Sequence, residues 1–152
     1  AEDGIRDRSP SRGLGDVYKR QASDHAGFAL KSKLCDRFES LVDLGTNSEE
    51  SVDYPDFAHK LTNEVLKDAG NLGILICGTG VGMSMAANRV KGIRAGLVSN
   101  NEIARLIRQH NNANVLVLPG RFMDEEEAIK SVKTFIETEF EAGRHQARID
   151  KI

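Results

Sequence analysis

From Ala22 onward, short runs of apolar residues alternate with stretches of helical period. Four of the runs predict strands, at 41–44, 72–76, 93–98 and 114–118. A fifth strand is expected just before Ser23, because the segment 23–27 has the composition of a strand-to-helix turn. Strands that alternate with helices are typical of parallel sheets. We therefore predict an α/β fold, a three-layer αβα Rossmann-like sandwich with a five-stranded parallel sheet.

Helical periodicity occupies the segments between these strands. Leu30, Leu34 and Phe38 recur at four-residue spacing and predict the first helix, and Pro55 suits the first turn of the second. Two more helices are predicted over 83–90 and 102–110. The last helix is predicted to open on the acidic run 124–127 and to bury Ile129, Val132, Ile136 and Phe140 before Gly143.

Residues 1–21 do not share this pattern. They alternate charges of opposite sign, show no apolar period, and lack the apolar segment of a secretory signal. We expect a non-native or disordered leader at 1–21 and a domain at 22–152. The fifth strand then falls on Val17–Gln21, which is polar where a central parallel strand should be apolar. We expect a damaged first strand and a loss of stability.

Composition excludes several classes of function. The 152 residues are 39% hydrophobic and 29% charged, with a formal net charge of -2, so nucleic acid and anionic membranes are not expected partners. No apolar run approaches the roughly 18 residues of a membrane helix. Cys35 and Cys77 form neither a metal-ligand spacing nor a disulfide framework. A reducing, cytoplasmic compartment is expected.

Cys77 joins the apolar run 72–76 to the glycine loop 78–82. A buried cysteine is often only a small packing residue. Here, however, ligand crevices of parallel sheets lie outside the carboxyl ends of the strands, and a helix amino end can lower the pKa of a thiol. Cys77 is therefore a candidate base or nucleophile. The loop is neither a dinucleotide fingerprint nor a Walker loop; it can cradle an oxyanion, or it can simply make room for packing.

Three polar groups could accompany the thiol. Asp24 and His25 follow the expected first strand and would share an edge with Cys77 if the strands are neighbours. His110 and Asn111 end a helix, where a histidine can also serve only as a partner of the helix dipole. Arg144 and Arg148 would share one face if a helix resumes after Gly143, which suits a bound phosphate, although a solvated basic tail has the same composition.

With these residues assembled, the chain resembles the B-type ribose-5-phosphate isomerases, a family that also includes galactose-6-phosphate and allose-6-phosphate isomerases. The resemblance runs from about Ala22 to the C-terminus. It is carried by the segments Ser-Asp-His-Ala-Gly at 23–27, Asp-Tyr-Pro at 53–55, Ile-Cys-Gly-Thr-Gly-Val-Gly at 76–82, Arg-Gln-His-Asn at 108–111, and Gly-Arg-His-Gln at 143–146 with Arg148.

The resemblance implies an enzyme that needs no metal or other cofactor and that interconverts ribose 5-phosphate and ribulose 5-phosphate through a cis-enediol. Cys77 would move the proton between C1 and C2, and His110 would open the sugar ring with Asp24. The amides of the loop 78–82 would stabilise the enediolate. The implied catalytic group also contains Thr79, and the implied substrate-binding group consists of Asp24, His25, Tyr54, Gly78, Thr79, Gly80, Val81, Gly82, Asn111, Arg121, Arg144 and Arg148.

The resemblance also implies a homodimer or homotetramer with shared active sites, because the tail arginines of the family complete a neighbouring subunit's site. Two alternatives remain open. The substrate can be a six-carbon sugar phosphate, such as galactose 6-phosphate or allose 6-phosphate. A protein of a different class, a non-catalytic sensor that binds a phosphorylated sugar through the glycine loop, would share the same cradle.

Overall fold

Five parallel strands form the centre of the molecule, which a computed structural model describes over residues 18–152. The strands are β1 (Lys19–Ser23), β2 (Leu41–Asp43), β3 (Leu72–Cys77), β4 (Ala95–Leu97) and β5 (Val115–Pro119). They lie in the order β2-β1-β3-β5-β4, and every neighbouring pair is parallel. The predicted five-stranded parallel sheet is confirmed.

Helices cover both faces of this sheet. They are α1 (Phe28–Arg37), α2 (Tyr54–Val65), α3 (Val81–Asn88), α4 (Asn101–Asn111), α5 (Glu125–Glu137) and a short α6 (Arg144–Ile149). One core contains side chains of α1, α4 and α5 against Ile74 and Ile76. The other contains side chains of α2 and α3 against Leu75 and Cys77. Successive residues of β3 thus face opposite layers, as in any strand buried on both sides.

The first strand begins at Lys19, inside the segment that the sequence assigned to a leader. Lys19, Arg20 and Gln21 pair with β2 on one side and with β3 on the other. The folded domain therefore starts earlier than the predicted boundary at 22. Residues 1–17, which make up most of the predicted leader, lie outside the described part of the chain.

Two helices accommodate polar side chains of β1: α2, where a carboxylate oxygen of Glu64 lies 3.4 Å from Nε of Arg20, and α1, which contacts Gln21. The Gln21 side-chain amide donates to the carbonyl oxygen of Lys31 at 3.2 Å and to the sulfur of Cys35 at 2.7 Å. Lys31, itself 1% exposed, donates to both carboxylate oxygens of Asp43 at 2.7 and 2.8 Å. Ser23 stays in register with Ile76. The strand therefore forms despite its polarity.

This accommodation is incomplete. Three buried side-chain atoms of β1, Arg20 Nη1, Gln21 Oε1 and Ser23 Oγ, have no hydrogen-bond partner among residues 18–152. An unpaired buried polar atom costs roughly 1–3 kcal/mol. The expected loss of stability thus has a physical source in these side chains, although the strand keeps its place in the sheet.

The last helices differ in part from the prediction. Helix α5 ends at Glu137, so Phe140 lies outside it, and Phe135 is the aromatic residue buried completely. The backbone turns at Gly143 and α6 then begins at Arg144, as expected for a resumed helix. In the part of the chain from Tyr18 onward, the helices are all too short or too polar to cross a membrane.

Candidate active site

The carboxyl ends of β1, β3 and β5 lie side by side. Ser23 pairs with Ile76, and Cys77 pairs with Pro119. From β1 the chain continues to β2 on one side, and from β3 it continues to β4, beyond β5, on the other side. Such a reversal in strand order opens a crevice at the carboxyl edge of the sheet, where parallel α/β proteins bind their ligands.

Cys77 occupies the predicted place as the last residue of β3. Its side chain is 5% exposed and belongs to the core between the sheet and the layer of α2 and α3. Burial alone would suit a packing residue. The adjoining glycine loop, which leads directly into α3 at Val81, places the thiol beside a helix amino end, where positively polarised N–H groups favour a negative charge.

The glycine loop turns tightly between strand and helix. Gly80 has φ +81°, in the left-handed region, and a Cβ there would approach the Leu118 carbonyl carbon to 3.4 Å. The amide of Val81 donates to the hydroxyl oxygen of Thr79 at 3.2 Å. The Val81 amide is thus engaged within the loop, which reduces the number of amides that can face an anion in the predicted cradle.

Two predicted binding residues lie directly over this loop. A Cβ on Gly82 would fall 2.5 Å from Cζ of the Tyr54 ring, and a Cβ on Gly78 would fall 3.2 Å from Nη1 of Arg121. The Arg121 amide also donates to the Gly78 carbonyl oxygen at 3.0 Å. The two glycines therefore leave space for a phenol and a guanidinium against the backbone, and both polar groups border the crevice beside Cys77.

Asp24 and His25 share this edge with Cys77, as predicted. The Asp24 amide donates to the Ile76 carbonyl oxygen at 3.2 Å, and its carboxylate, in a residue 6% exposed, accepts the Gly27 amide at 3.0 Å. The Val52 amide donates to Nδ1 of His25 at 3.2 Å. Because Nδ1 accepts this bond, the proton of the neutral His25 ring resides on Nε2.

The remaining predicted residues lie at the opposite edge of the sheet. His110 and Asn111 end α4, just before β5 begins at Val115. Arg144 and Arg148 lie on α6, which packs against α4. Because β5 runs from this edge to the Cys77 edge over five residues, at roughly 3.3 Å per residue the two groups are on the order of 13 Å or more apart. One chain does not bring all its predicted site residues together.

His110 is held in a stack of two imidazoles. The ring centroids of His110 and His145 are 4.4 Å apart and the ring planes differ by 20°. Nε2 of His145 lies 3.7 Å from a carboxylate oxygen of Glu141. Burial lowers the pKa of His145, and the neighbouring His110 and Arg144 lower it further. His145 is thus favoured in its neutral form at this position.

His110, Glu141 and His145 offer three possible metal-ligand atoms within 4.8 Å of one another. A ring nitrogen binds an ion in the plane of its own ring, however, and the two planes here are stacked. Planes that differ by only 20° meet far from both rings, so one ion cannot bind a nitrogen of each ring in its own plane. The charge of Arg144, which also acts on His145, opposes a cation further. The geometry suits stacking better than coordination.

Sequence reasoning missed the structural roles of His145 and Glu141. No local signal reveals them, because Glu141 precedes α6, which begins at Arg144, and the rule for four-residue pairs applies only within a helix. The hydrogen bond from Val52 to His25 joins positions 27 residues apart. No local pattern marks such a contact, because the loop between β2 and α2 has no period.

The fold and the site define a class: an open parallel α/β protein with a thiol and a glycine loop at its switch point. A family model described as Ribose/Galactose Isomerase matches residues 21–152. Ribose-5-phosphate isomerase B of Escherichia coli K12 is 43% identical over 133 residues, which cover 85% of this chain and 89% of that protein.

Solved structures agree with these matches. A ribose 5-phosphate isomerase of Thermotoga maritima has a TM-score of 0.86 at 51% identity, covering 90% of this chain and 97% of that one. A ribose-5-phosphate isomerase B of Mycoplasma genitalium, with bound ribulose-5-phosphate, has a TM-score of 0.86 at 48% identity, covering 90% and 93%. The chain belongs to the ribose/galactose isomerase family, and its class of activity is aldose–ketose isomerisation of a sugar phosphate.

Proposed function

We propose that this protein interconverts ribose 5-phosphate and ribulose 5-phosphate through a cis-enediol, with Cys77 as the base. The observation that carries the proposal is the convergence of Cys77, Asp24 and the glycine loop at the switch point of the sheet. The relative with ribulose-5-phosphate bound, which shares this fold at 48% identity, supports the five-carbon substrate.

The proposed reaction begins on the open-chain aldose. The thiolate of Cys77 accepts the proton from C2, and the electrons of that C–H bond form the C1–C2 double bond while negative charge develops on O1. Amides of the loop 78–82 stabilise this charge, as preorganised donors do in an oxyanion hole. The hydroxyl proton on O2 passes to O1, and the Cys77 thiol returns the carbon-bound proton to C1 as O2 becomes the carbonyl oxygen, so no atom is gained or lost.

Ring opening and phosphate binding require the second group of residues. His110 transfers the proton between the ring oxygen and the anomeric hydroxyl, and Asp24 assists this transfer. Asn111 binds sugar oxygens. Arg144 and Arg148, which are four residues apart on α6, bind the phosphate together with His25 and Arg121. Paired guanidinium groups suit phosphate oxygens.

These two groups meet only if two chains share each site. Cys77 lies at the carboxyl end of the strands, as the last residue of β3, whereas His110 lies near their amino end, just before β5. The length of β5 keeps them apart within one chain. A twofold pair of chains places the Cys77 edge of each against the α4–α6 edge of its partner, and this arrangement yields two equivalent sites. A homodimer is therefore the smallest complete enzyme in this proposal.

The first experiment removes the base. Cys77→Ala is expected to lower kcat on ribose 5-phosphate by about 10²- to 10⁴-fold, which is the usual cost of losing a proton-transfer group. Circular dichroism and Tm should stay close to the parent values. The matched control is Cys35→Ala, at the other free thiol, which should retain turnover. Substantial activity in Cys77→Ala would exclude the assignment.

The second experiment tests the shared site. Cys77→Ala and Arg148→Ala proteins are each expected to be nearly inactive. After subunits are exchanged in equal amounts, random pairing yields one intact site in half of the dimers, or about a quarter of the parent activity. Sites contained within single chains would recover nothing. A different affinity tag on each variant, with purification through both tags in turn, confirms that chains have exchanged.

A six-carbon substrate is the second candidate, since the matching family model is described for ribose and galactose alike. Both substrates would use the same thiol and the same cradle. The values of kcat/KM on ribose 5-phosphate, allose 6-phosphate and galactose 6-phosphate, measured side by side, decide between them. A value at least tenfold higher on a six-carbon substrate would replace the five-carbon assignment.

A further inference from the structure

One face of the His110 ring is covered by the ring of His145, a residue that has no role in the proposed reaction. The two centroids are 4.4 Å apart with nearly parallel planes. His145 is 8% exposed, whereas the proposed phosphate ligands around it, Arg144 and Arg148, are exposed on α6. His145 is thus buried behind His110 and has little surface available to a sugar.

The segment that carries His145 is tied to the end of α4 by several contacts. The Glu141 amide donates to the carbonyl oxygen of Gln109 at 3.1 Å, one residue before His110. The guanidinium of Arg108 donates to the carbonyl oxygen of Thr138 at 3.1 Å. The carboxylate of Glu141 lies 3.7 Å from Nε2 of His145. The backbone contacts to α4 and the Glu141 carboxylate at the edge of the imidazole therefore fix the position of the His145 ring relative to α4.

We propose that His145 is a positioning residue for His110, and that its stacked ring holds the His110 imidazole in the plane required for opening the sugar ring. This inference rests on the proposed function and deepens it. An imidazole on the last turn of a helix can rotate about its Cβ–Cγ bond, and that rotation moves both ring nitrogens. A flat partner on one face removes this freedom.

Two physical consequences follow from such a stack. A displacement of about 1 Å of a reacting group can cost on the order of 10²-fold in rate, so a loosely held His110 would be a poor catalyst. The charged and titratable groups that act on His145 are His110, Glu141, Arg144 and Arg148. Burial lowers the pKa of His145 among them, and its neutral form can lie against His110 without placing two positive rings in contact.

The test separates ring opening from proton transfer at carbon. Ribose 5-phosphate is mostly a closed ring and needs opening, whereas ribulose 5-phosphate cannot close a five-membered ring, because its C5 oxygen carries the phosphate. Incorporation of deuterium at C1 of ribulose 5-phosphate in D₂O therefore reports the Cys77 step alone. Proton NMR follows this exchange, and a coupled assay follows turnover of ribose 5-phosphate.

His145→Ala is expected to lower kcat on ribose 5-phosphate by about 10- to 100-fold, with deuterium exchange reduced less than threefold. His145→Phe, which restores a flat ring without a titratable nitrogen, should recover most of the loss. The double variant His110→Ala/His145→Ala should be no slower than His110→Ala, because residues that act through one another are not additive. His59→Ala, at an exposed histidine on α2, is the control and should match the parent.

Two results would overturn the inference. An equal fall in turnover and in exchange, with a raised KM in both, would mean that His145 only keeps α6 and its arginines in place. Turnover in His145→Ala equal to that of the parent would mean that the stack has no part in catalysis. Failure of the proposed function is a separate outcome, since the parent protein would then show neither turnover nor exchange.

Discussion

Replacement of Gln21 by leucine should make the protein more stable. Gln21 is fully buried in β1, and its Oε1 atom has no partner among residues 18–152. Its Nε2 atom donates to the carbonyl oxygen of Lys31 and to the sulfur of Cys35. Leucine is slightly larger than glutamine, so Gln21→Leu removes the unpaired oxygen without opening a cavity.

The magnitude follows from two opposing contributions. Removal of the unpaired oxygen contributes roughly 1–3 kcal/mol. Loss of the bonds to Lys31 and Cys35 costs about 0.5–1.5 kcal/mol, most of it at Lys31 because sulfur is a weak acceptor. The Lys31 carbonyl lies inside α1 and keeps its helical partner. The free energy of unfolding should therefore rise by about 1 kcal/mol. For a domain of this size the corresponding rise in Tm is about 2–5 °C.

Thermal unfolding followed by circular dichroism measures this change, with parent and variant at one protein concentration, because association alters Tm. The control is Gln146→Leu, at an exposed glutamine of α6, which should shift stability by less than about 0.5 kcal/mol. An unchanged or lower Tm in Gln21→Leu would refute the reasoning, since it would show that the polar side chain does not destabilise the fold at this position.

Three further predictions concern the ion pair of β2, the His25 ring and the glycine loop. Burial works to raise the pKa of Asp43, but hydrogen bonds from Lys31 and the Gly45 amide outweigh it and hold that pKa below its usual value. A carboxylate with a lowered pKa stabilises the fold above about pH 4, and this stabilisation is lost as the pH falls further. Asp43→Asn should therefore lower the free energy of unfolding by roughly 1–3 kcal/mol at pH 7. The loss is smaller than for a fully buried ion pair, because the carboxylate is partly exposed. Urea unfolding at several pH values should show the difference shrinking below pH 4; a constant difference would contradict the pairing. For His25, two-dimensional ¹⁵N NMR should find the proton of the neutral ring on Nε2, and a proton on Nδ1 would contradict the hydrogen bond from Val52. Gly82→Ala should displace the Tyr54 ring, 2.5 Å from the added carbon, and raise KM more than it lowers kcat; an unchanged KM would show that the ring position does not matter for binding.

The sequence predicts most of the architecture because that information is local. Apolar runs of strand length and helical spacings locate the sheet and its covering helices. The common edge of Cys77 and Asp24 also follows, since carboxyl ends of neighbouring parallel strands meet. The burial of Phe135 in place of Phe140 was missed, because one period continues past the point where the helix ends.

Two features depend on contacts that no local pattern contains. The apolar rule for central strands predicts a damaged β1, yet the Gln21 amide nitrogen finds two acceptors on α1. The separation of His110 from Cys77 depends on the direction in which α4 crosses the sheet. The order of residues along the chain does not reveal that distance. Two residues that belong to one family motif can therefore meet in a site formed by two molecules.

The polar network behind β1 also bears on covalent labelling. Burial raises the pKa of the Cys35 thiol, and the charge of Asp43 raises it further. Since the thiolate is the form that attacks electrophiles, Cys35 should react slowly with alkylating reagents near neutral pH. A thiol-directed probe or a mass tag would then meet little competition from Cys35 in this protein, and the stoichiometry of labelling could be interpreted at the other cysteine without first mutating this one.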